Sequence, residues 1–161
     1  MEKEFLFNKI FEEHYPKILR LSKGYFNGDT DLANDAAQEV FMKVWEHLDS
    51  FRGDSSVSTW IYRISVNTCL VLLRKKNSKK GVLTKENSTA TVDSDSEEME
   101  ERFIKMYACI QKLEEINRMI ILMVLENIGY DEIANIIGIT EENVRVRIHR
   151  IKKSLTQCVQ L

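Results

Sequence analysis

Apolar residues recur along this chain at helical spacings, and nowhere do they alternate as strands require. From Glu4 to about Tyr25, Phe7, Ile10, Phe11, Ile18 and Leu21 make one stripe. Pro16 falls inside it and is expected to kink or split the helix near Tyr15, because proline has no amide hydrogen to give. Asn27-Gly28-Asp29 is a turn signal. Asp31 is expected to cap a second helix reaching about Leu48, along which Leu32, Ala36, Val40, Val44 and Leu48 form a ladder. Residues 49–58, DSFRGDSSVS, read as a loop. A third helix is expected from Thr59 to about Lys76. Ile61, Ser65, Thr68 and Leu72 share one of its faces, and Arg63, Asn67 and Arg74 share another. Four more helices are expected at about 97–112, 115–127, 130–137 and 141–157. Phe103, Met106, Tyr107 and Ile110 stripe the first of these; Met119, Leu122 and Leu125 belong to the second.

Composition agrees with an all-α chain. Among 161 residues there are one proline and six glycines, too few breakers for a β-rich fold. With 43 % hydrophobic and 30 % charged residues, the chain is neither a disordered tail nor a membrane protein. The longest apolar run, Met119 to Leu125, is too short to span a bilayer. The opening MEKEFLFNK lacks the apolar core of a secretion signal, so a cytoplasmic location without membrane insertion is expected. Residues 77–96 are polar, rich in Ser and Thr, and have no apolar period. They are expected to form a flexible acidic linker between two small helical domains, 1–76 and 97–161. The net charge of −2 hides an asymmetry: residues 1–80 carry +2, residues 81–101 carry −6, and residues 102–161 carry +2. Cys69, Cys109 and Cys158 are far apart and make no CxxC pair, so three single reduced thiols are expected. His14, His47 and His149 are equally scattered. No metal, cofactor or catalytic residue is expected.

The strongest local signal is YDEIANIIGITEENVRVRIHRIKKSL, residues 130–155. It reads as a short helix, a tight turn at Gly138 and a longer helix capped by Thr140, the spacing of a helix-turn-helix. Ile133 and Ile137 are expected to pack inward, with Ala134 small at the crossing. Val144, Ile148, Ile151 and Leu155 cluster in the buried wedge of the longer helix. Val146, His149, Arg150 and Lys153 point the other way, flanked by Arg145 and Lys152. A cationic helix face of this kind fits a DNA major groove, where Arg meets guanine edges and Lys meets phosphates. Arg147, at the border of the wedge, reads as a structural contact or a phosphate ligand.

A second constellation lies in FRGDSSVSTWIYRISVNTCLVLLRKK, residues 51–76. Phe51, Trp60 and Tyr62 are interleaved with Arg52, Arg63, Asn67 and Arg74. Bases of single strands stack on such rings while cations track phosphates. Trp60 and Tyr62 could equally be core anchors, and periodicity does not decide between the two. The exposed side of the second helix carries Asp35, Gln38, Glu39, Met42, Lys43 and Glu46 near Trp45, a mixture suited to a protein interface.

Taken in this order, the motifs resemble bacterial sigma factors of the extracytoplasmic-function group, in the RNA polymerase sigma-70 family. DAAQEVFMKVWEHLDSFRGDSSVSTWIYRISVNT is similar to that family's second domain. IQKLEEINRMIILMVLENIGYDEIANIIGITEENVRVRIHRIKKSL is similar to its fourth, a helix-turn-helix domain of four helices. The resemblance implies a non-enzymatic promoter-specificity subunit that binds core RNA polymerase, at the clamp of its largest subunit and at its flap, and promoter DNA. It implies core-polymerase contacts at Asp35, Gln38, Glu39 and Lys43. It implies −10 melting and base capture at Phe51, Arg52, Ser56, Thr59, Trp60, Arg63 and Asn67. It places Arg145, Val146, His149, Arg150 and Lys153 on the −35 reading helix, and it implies an anti-sigma partner. Two departures stand out. Leu113-Glu114 replaces a frequent Leu-Pro, which predicts a less rigid corner, and Val146 stands where a small polar residue is frequent, suiting a thymine methyl. A stand-alone dimeric helix-turn-helix repressor would leave the aromatic loop around Trp60 unexplained. A nuclease would need a carboxylate cluster, and Asp49 with Asp54 is weak support for one.

Overall fold

The computed structural model describes residues 1–78 and 97–160, which form seven α-helices and short connections. All but the first two residues of the expected linker lie outside the described residues. No helix among the described residues is long and apolar enough to cross a membrane.

Helix α1, Glu2–Tyr25, runs through Pro16 without the split that was one of the two expected outcomes. Pro16 is exposed, so the carbonyl it leaves without an amide partner can be hydrated. Ile10 before it and Ile18, Leu21 and Tyr25 after it bury on one face. Packing on both sides of the proline outweighs the lost hydrogen bond. Helix α2, Thr30–His47, is capped by Asp29 rather than Asp31. The Leu32 amide donates to Asp29 Oδ1 at 3.1 Å. Asn27 and Gly28 both take positive φ and complete the turn early enough for Asp29 to reach the cap position. Asp31 lies in the first turn instead, at the positive end of the helix dipole.

A single 3-10 turn at Leu48–Ser50 leads into the loop before α3, Val57–Ser78. The helix starts two residues earlier than expected because Ser56 Oγ accepts the Thr59 amide at 3.1 Å. Ile61, Ser65 and Thr68 are buried, while Arg63, Asn67 and Arg74 are exposed, as the face pattern predicts.

The remaining helices are α4, Glu97–Gln111, α5, Glu115–Leu125, α6, Tyr130–Ile137, and α7, Glu141–Gln160. The Leu113-Glu114 corner is tied from below. Arg118 Nη2 donates to the carbonyls of Gln111 and Leu113 at 2.8 and 3.3 Å, and its guanidinium lies over the Tyr25 ring. A buried-side cation thus ties the corner that lacks a proline. In α4 only Cys109 and Ile110 are buried; Phe103, expected in the core stripe, is exposed because no helix among the described residues covers the first turns.

One expectation is overturned outright. Cys109 and Cys158 are joined in a disulfide, and only Cys69 is a free thiol. Packing of α4 on α7 brings the two together across 49 residues, which no spacing rule reveals.

The helices α1–α3 and α4–α7 also pack on each other, sharing one continuous hydrophobic core. Gly24 permits the approach of α1 to α5: a Cβ there would lie 2.8 Å from Leu122 Cδ2. Arg20 Nε and Nη2 donate to the two Glu126 carboxylate oxygens at 2.5 and 2.7 Å. Gln111 Nε2 donates to the Gly24 carbonyl at 2.7 Å.

Candidate nucleic-acid interface

The turn between α6 and α7 is built by local chemistry. Gly138 adopts φ +86°, and its amide and that of Ile139 both donate to the Ala134 carbonyl. Thr140 Oγ1 accepts the Asn143 amide at 3.1 Å and so starts α7. Ile133, Ala134 and Ile136 bury the inner side of α6. Ile137, expected inside, is half-buried, and Ile136 takes the deeper place. Burial of Val144, Ile148 and Ile151 then fixes the rotation of α7. Arg145, Val146, His149, Arg150 and Lys153 are all exposed in consequence. Arg145 is tethered to Glu141 at 2.8 Å along the helix. Arg147 is different: it donates to Asn143 Oδ1 and to Asn117 Oδ1, at 3.2 and 3.1 Å, and so links α7 to α5. The border position of Arg147 is structural.

On the other group of helices, Phe51 and Trp60 are half-buried and stacked, their centroids 4.7 Å apart. The structure separates the two aromatic readings left open by periodicity. Tyr62 is a core residue, and burial, with Glu126 and Glu132 adding, pushes its phenol up to about 12. Trp60 keeps part of its ring at the surface beside Phe51. Arg52 and Ser56 are exposed in the loop, and Arg63 and Asn67 are exposed one turn apart on α3. Thr59 is buried.

That burial has a cause the sequence did not signal. Helix α6 lies against the start of α3. The Ser56 hydroxyl donates to Thr59 Oγ1 at 3.0 Å, and the Thr59 hydroxyl donates to Glu132 Oε1 at 3.2 Å. Arg63 Nε donates to the Asn135 carbonyl at 3.1 Å. Asp131, Glu132 and Asn135 face Ser56, Thr59 and Arg63 across a cleft. Carboxylates and a backbone oxygen thus stand where hydroxyls and a guanidinium would otherwise meet an anionic ligand. Glu132 and Asn135 carry no local mark of this role, because their partners are more than seventy residues away.

Asp35, Gln38, Glu39, Met42, Lys43 and Glu46 line a shallow concavity on α2, in which Met42 is 63 % exposed. Lys43 donates to the buried Thr68 at 3.1 Å and pairs with Glu39 at 3.4 Å, so it also braces α2 on α3. The edge of Phe7 meets the Trp45 ring, and Lys3 sits over that ring while pairing with Asp49. The start of α1 therefore borders this surface. Among the described residues, no group of three or more His, Cys, Asp or Glu could hold a metal.

Comparison with known proteins gives this geometry a context. Residues 10–79 match the sigma-70 region 2 family, and residues 103–155 match sigma-70 region 4. The chain is 33 % identical to the ECF RNA polymerase sigma-E factor of Escherichia coli strain K12, over 96 % of this chain and 86 % of that protein. It is 29 % identical to the RNA polymerase sigma-H factor of Pseudomonas aeruginosa, with the same two coverages. Its fold is similar to that of RpoE from Bartonella quintana, solved with the anti-sigma factor NepR. That likeness has a TM-score of 0.77 and 19 % identity, and covers 96 % of this chain and 97 % of the other. It is also similar to CnrH, solved with the cytosolic domain of CnrY, at a TM-score of 0.74 and 20 % identity, covering 98 % and 89 %.

Proposed function

The chain belongs to the extracytoplasmic-function sigma factors of the sigma-70 family, and on that premise we propose how its surfaces direct initiation. It is an RNA polymerase sigma factor, a regulatory subunit that takes core polymerase to promoters. The working units are residues 1–76 and 97–161, joined by the acidic linker 77–96. Asp35, Gln38, Glu39 and Lys43 dock on the polymerase clamp. The concavity and exposed Met42 on α2 support that role. Phe51, Arg52, Ser56, Thr59, Trp60, Arg63 and Asn67 capture the opened −10 strand, supported by the stacked ring pair and by the outward Arg63 and Asn67. Arg145, Val146, His149, Arg150 and Lys153 read the −35 duplex, supported by their common exposure on α7.

Trapping unstacked bases offsets part of the cost of opening the duplex. Each good base contact is worth about 1–3 kcal/mol, too little for either unit to select a promoter alone. Mounting both on polymerase makes the contacts effectively intramolecular. Because α6 buries Thr59 and holds Arg63 by a hydrogen bond, the two units part when the −10 strand is bound. The protein works in the cytoplasm, beside the polymerase. It makes no chemical change of its own and takes no cofactor, and an anti-sigma protein holds it inactive, a reading supported by the anti-sigma factor NepR bound to one structural neighbour.

The observation that carries the reading is the region 2 match over residues 10–79, whose α3 turns Arg63 and Asn67 outward. A repressor has no use for that surface. The test is run-off transcription from a promoter library with bacterial core polymerase. Transcripts that depend on the chain are expected. Polymerase-independent binding to a palindromic site, with no such transcripts, would establish the repressor instead.

A further inference from the structure

Promoter recognition leaves one reactive pair of side chains unused. Cys109 in α4 and Cys158 in α7 have Cα atoms 6.0 Å apart and bonded sulfurs. That separation lies within the range that disulfides span. Cys109 is buried and Cys158 half-buried, so Cys158 is the sulfur that dissolved reagents reach first. Cys158 lies beyond residue 155, where the match to region 4 ends, so the pair is a property of this chain rather than of the matched segment. In a compartment that keeps thiols reduced, a bond of this kind forms and breaks with conditions.

Both sulfurs sit in the last turns of their helices, α4 ending at Gln111 and α7 at Gln160. The negative end of a helix dipole disfavours a thiolate. This is the reverse of the N-terminal sites that make a dithiol easy to form. Helix α4 has most to gain from the bond. Its first turns leave Met99, Phe103 and Ile104 bare, and its burial is confined to Cys109 and Ile110. The sulfur bridge joins α4 to α7 at the same end that packing holds. Cys69 takes no part: it is buried, and burial pushes its thiol up to about 12.

We propose that Cys109 and Cys158 are a thiol–disulfide modification site, closed by exchange with a low-molecular-weight disulfide of the glutathione type, that clamps α4 to the end of α7 and keeps this lobe folded under oxidising stress. The Cys158 thiolate attacks the small disulfide, forms a mixed disulfide and releases one small thiolate. The Cys109 thiolate then attacks the Cys158 sulfur, closes the bridge and releases the second. Two protein thiols lose two electrons and two protons, and one small disulfide becomes two thiols. The effect on transcription rests on the sigma-factor reading; the bridge does not.

The test equilibrates the full chain in reduced or oxidised glutathione, alkylates the thiols and maps the peptides by mass spectrometry. In oxidised glutathione the Cys109 and Cys158 peptides are expected joined, and Cys69 alkylated only after unfolding. The melting midpoint is expected to rise by about 10 °C over the reduced protein. Cys109→Ala and Cys158→Ser are expected to lose both the link and the rise. Between the two midpoints, run-off transcription persists with the oxidised chain and fails with the reduced one. The proposal is overturned if the two cysteines stay separately alkylatable, if each carries glutathione, or if both redox forms melt together. Absence of transcripts from both forms at low temperature would instead count against the sigma-factor reading, so the two failures are distinguishable.

Discussion

His14 is buried in the middle of α1, and its Nδ1 has no hydrogen-bond partner among the described residues. Burial holds its pKa below the ordinary value, against the opposing pull of Glu13. The unfolded chain therefore binds a proton near pH 6.5 that the folded chain refuses. Stability is fully present above that pH and falls as the medium acidifies, by up to about 1.4 kcal/mol per pH unit. Urea midpoints measured at pH 7.5 and 5.5 should differ for the native chain, and His14→Leu should flatten the difference. Equal slopes in the two proteins would remove His14 as the cause. At this scale the sequence was legible only where a residue's role is local. Thr140 as a cap and Gly138 at the turn were readable, since each acts within four residues. The partners of Arg118, of Glu132 and of the bonded cysteines were not, because tertiary packing alone chooses them.

Helices α3 and α7 show how faces are set. In each, burial of one stripe turns polar side chains outward, and period alone found both stripes. For α3 the consequence can be tested. Asn67 is exposed, so Asn67→Ala should leave the melting midpoint unchanged or slightly raised, because alanine is the better helix former. Promoter opening on duplex templates should fall about tenfold, the worth of one base contact. On a pre-melted bubble the loss should largely disappear. An equal defect on both templates would deny Asn67 a part in strand capture. The elements that misled the sequence reading did so through context. Pro16 does not break α1, because buried residues hold the helix on both sides of it. The apolar stripe of α4 is only half covered, because its first turns have no helix against them among the described residues.

At the scale of the whole molecule, period and composition gave the helices, but not the contact between their two groups. That contact is made by single residues from distant parts of the chain: Gly24 with Leu122, Arg20 with Glu126, Gln111 with the Gly24 carbonyl. Arg20 is largely exposed, so its pair contributes at most about 1 kcal/mol. Arg20→Ala combined with Gln111→Ala removes two of these ties without touching either proposed DNA surface. The radius of gyration from small-angle X-ray scattering should increase, with transcription retained. An unchanged radius would assign the closure to the shared apolar core alone. The closure is also lopsided. Helix α6 buries Thr59 and ties Arg63, while the cationic side of α7 stays bare. The proposed upstream grip is thus ready before the downstream one. A chain locked shut on polymerase would become a dead-end competitor, holding the enzyme at an upstream site without ever starting a message.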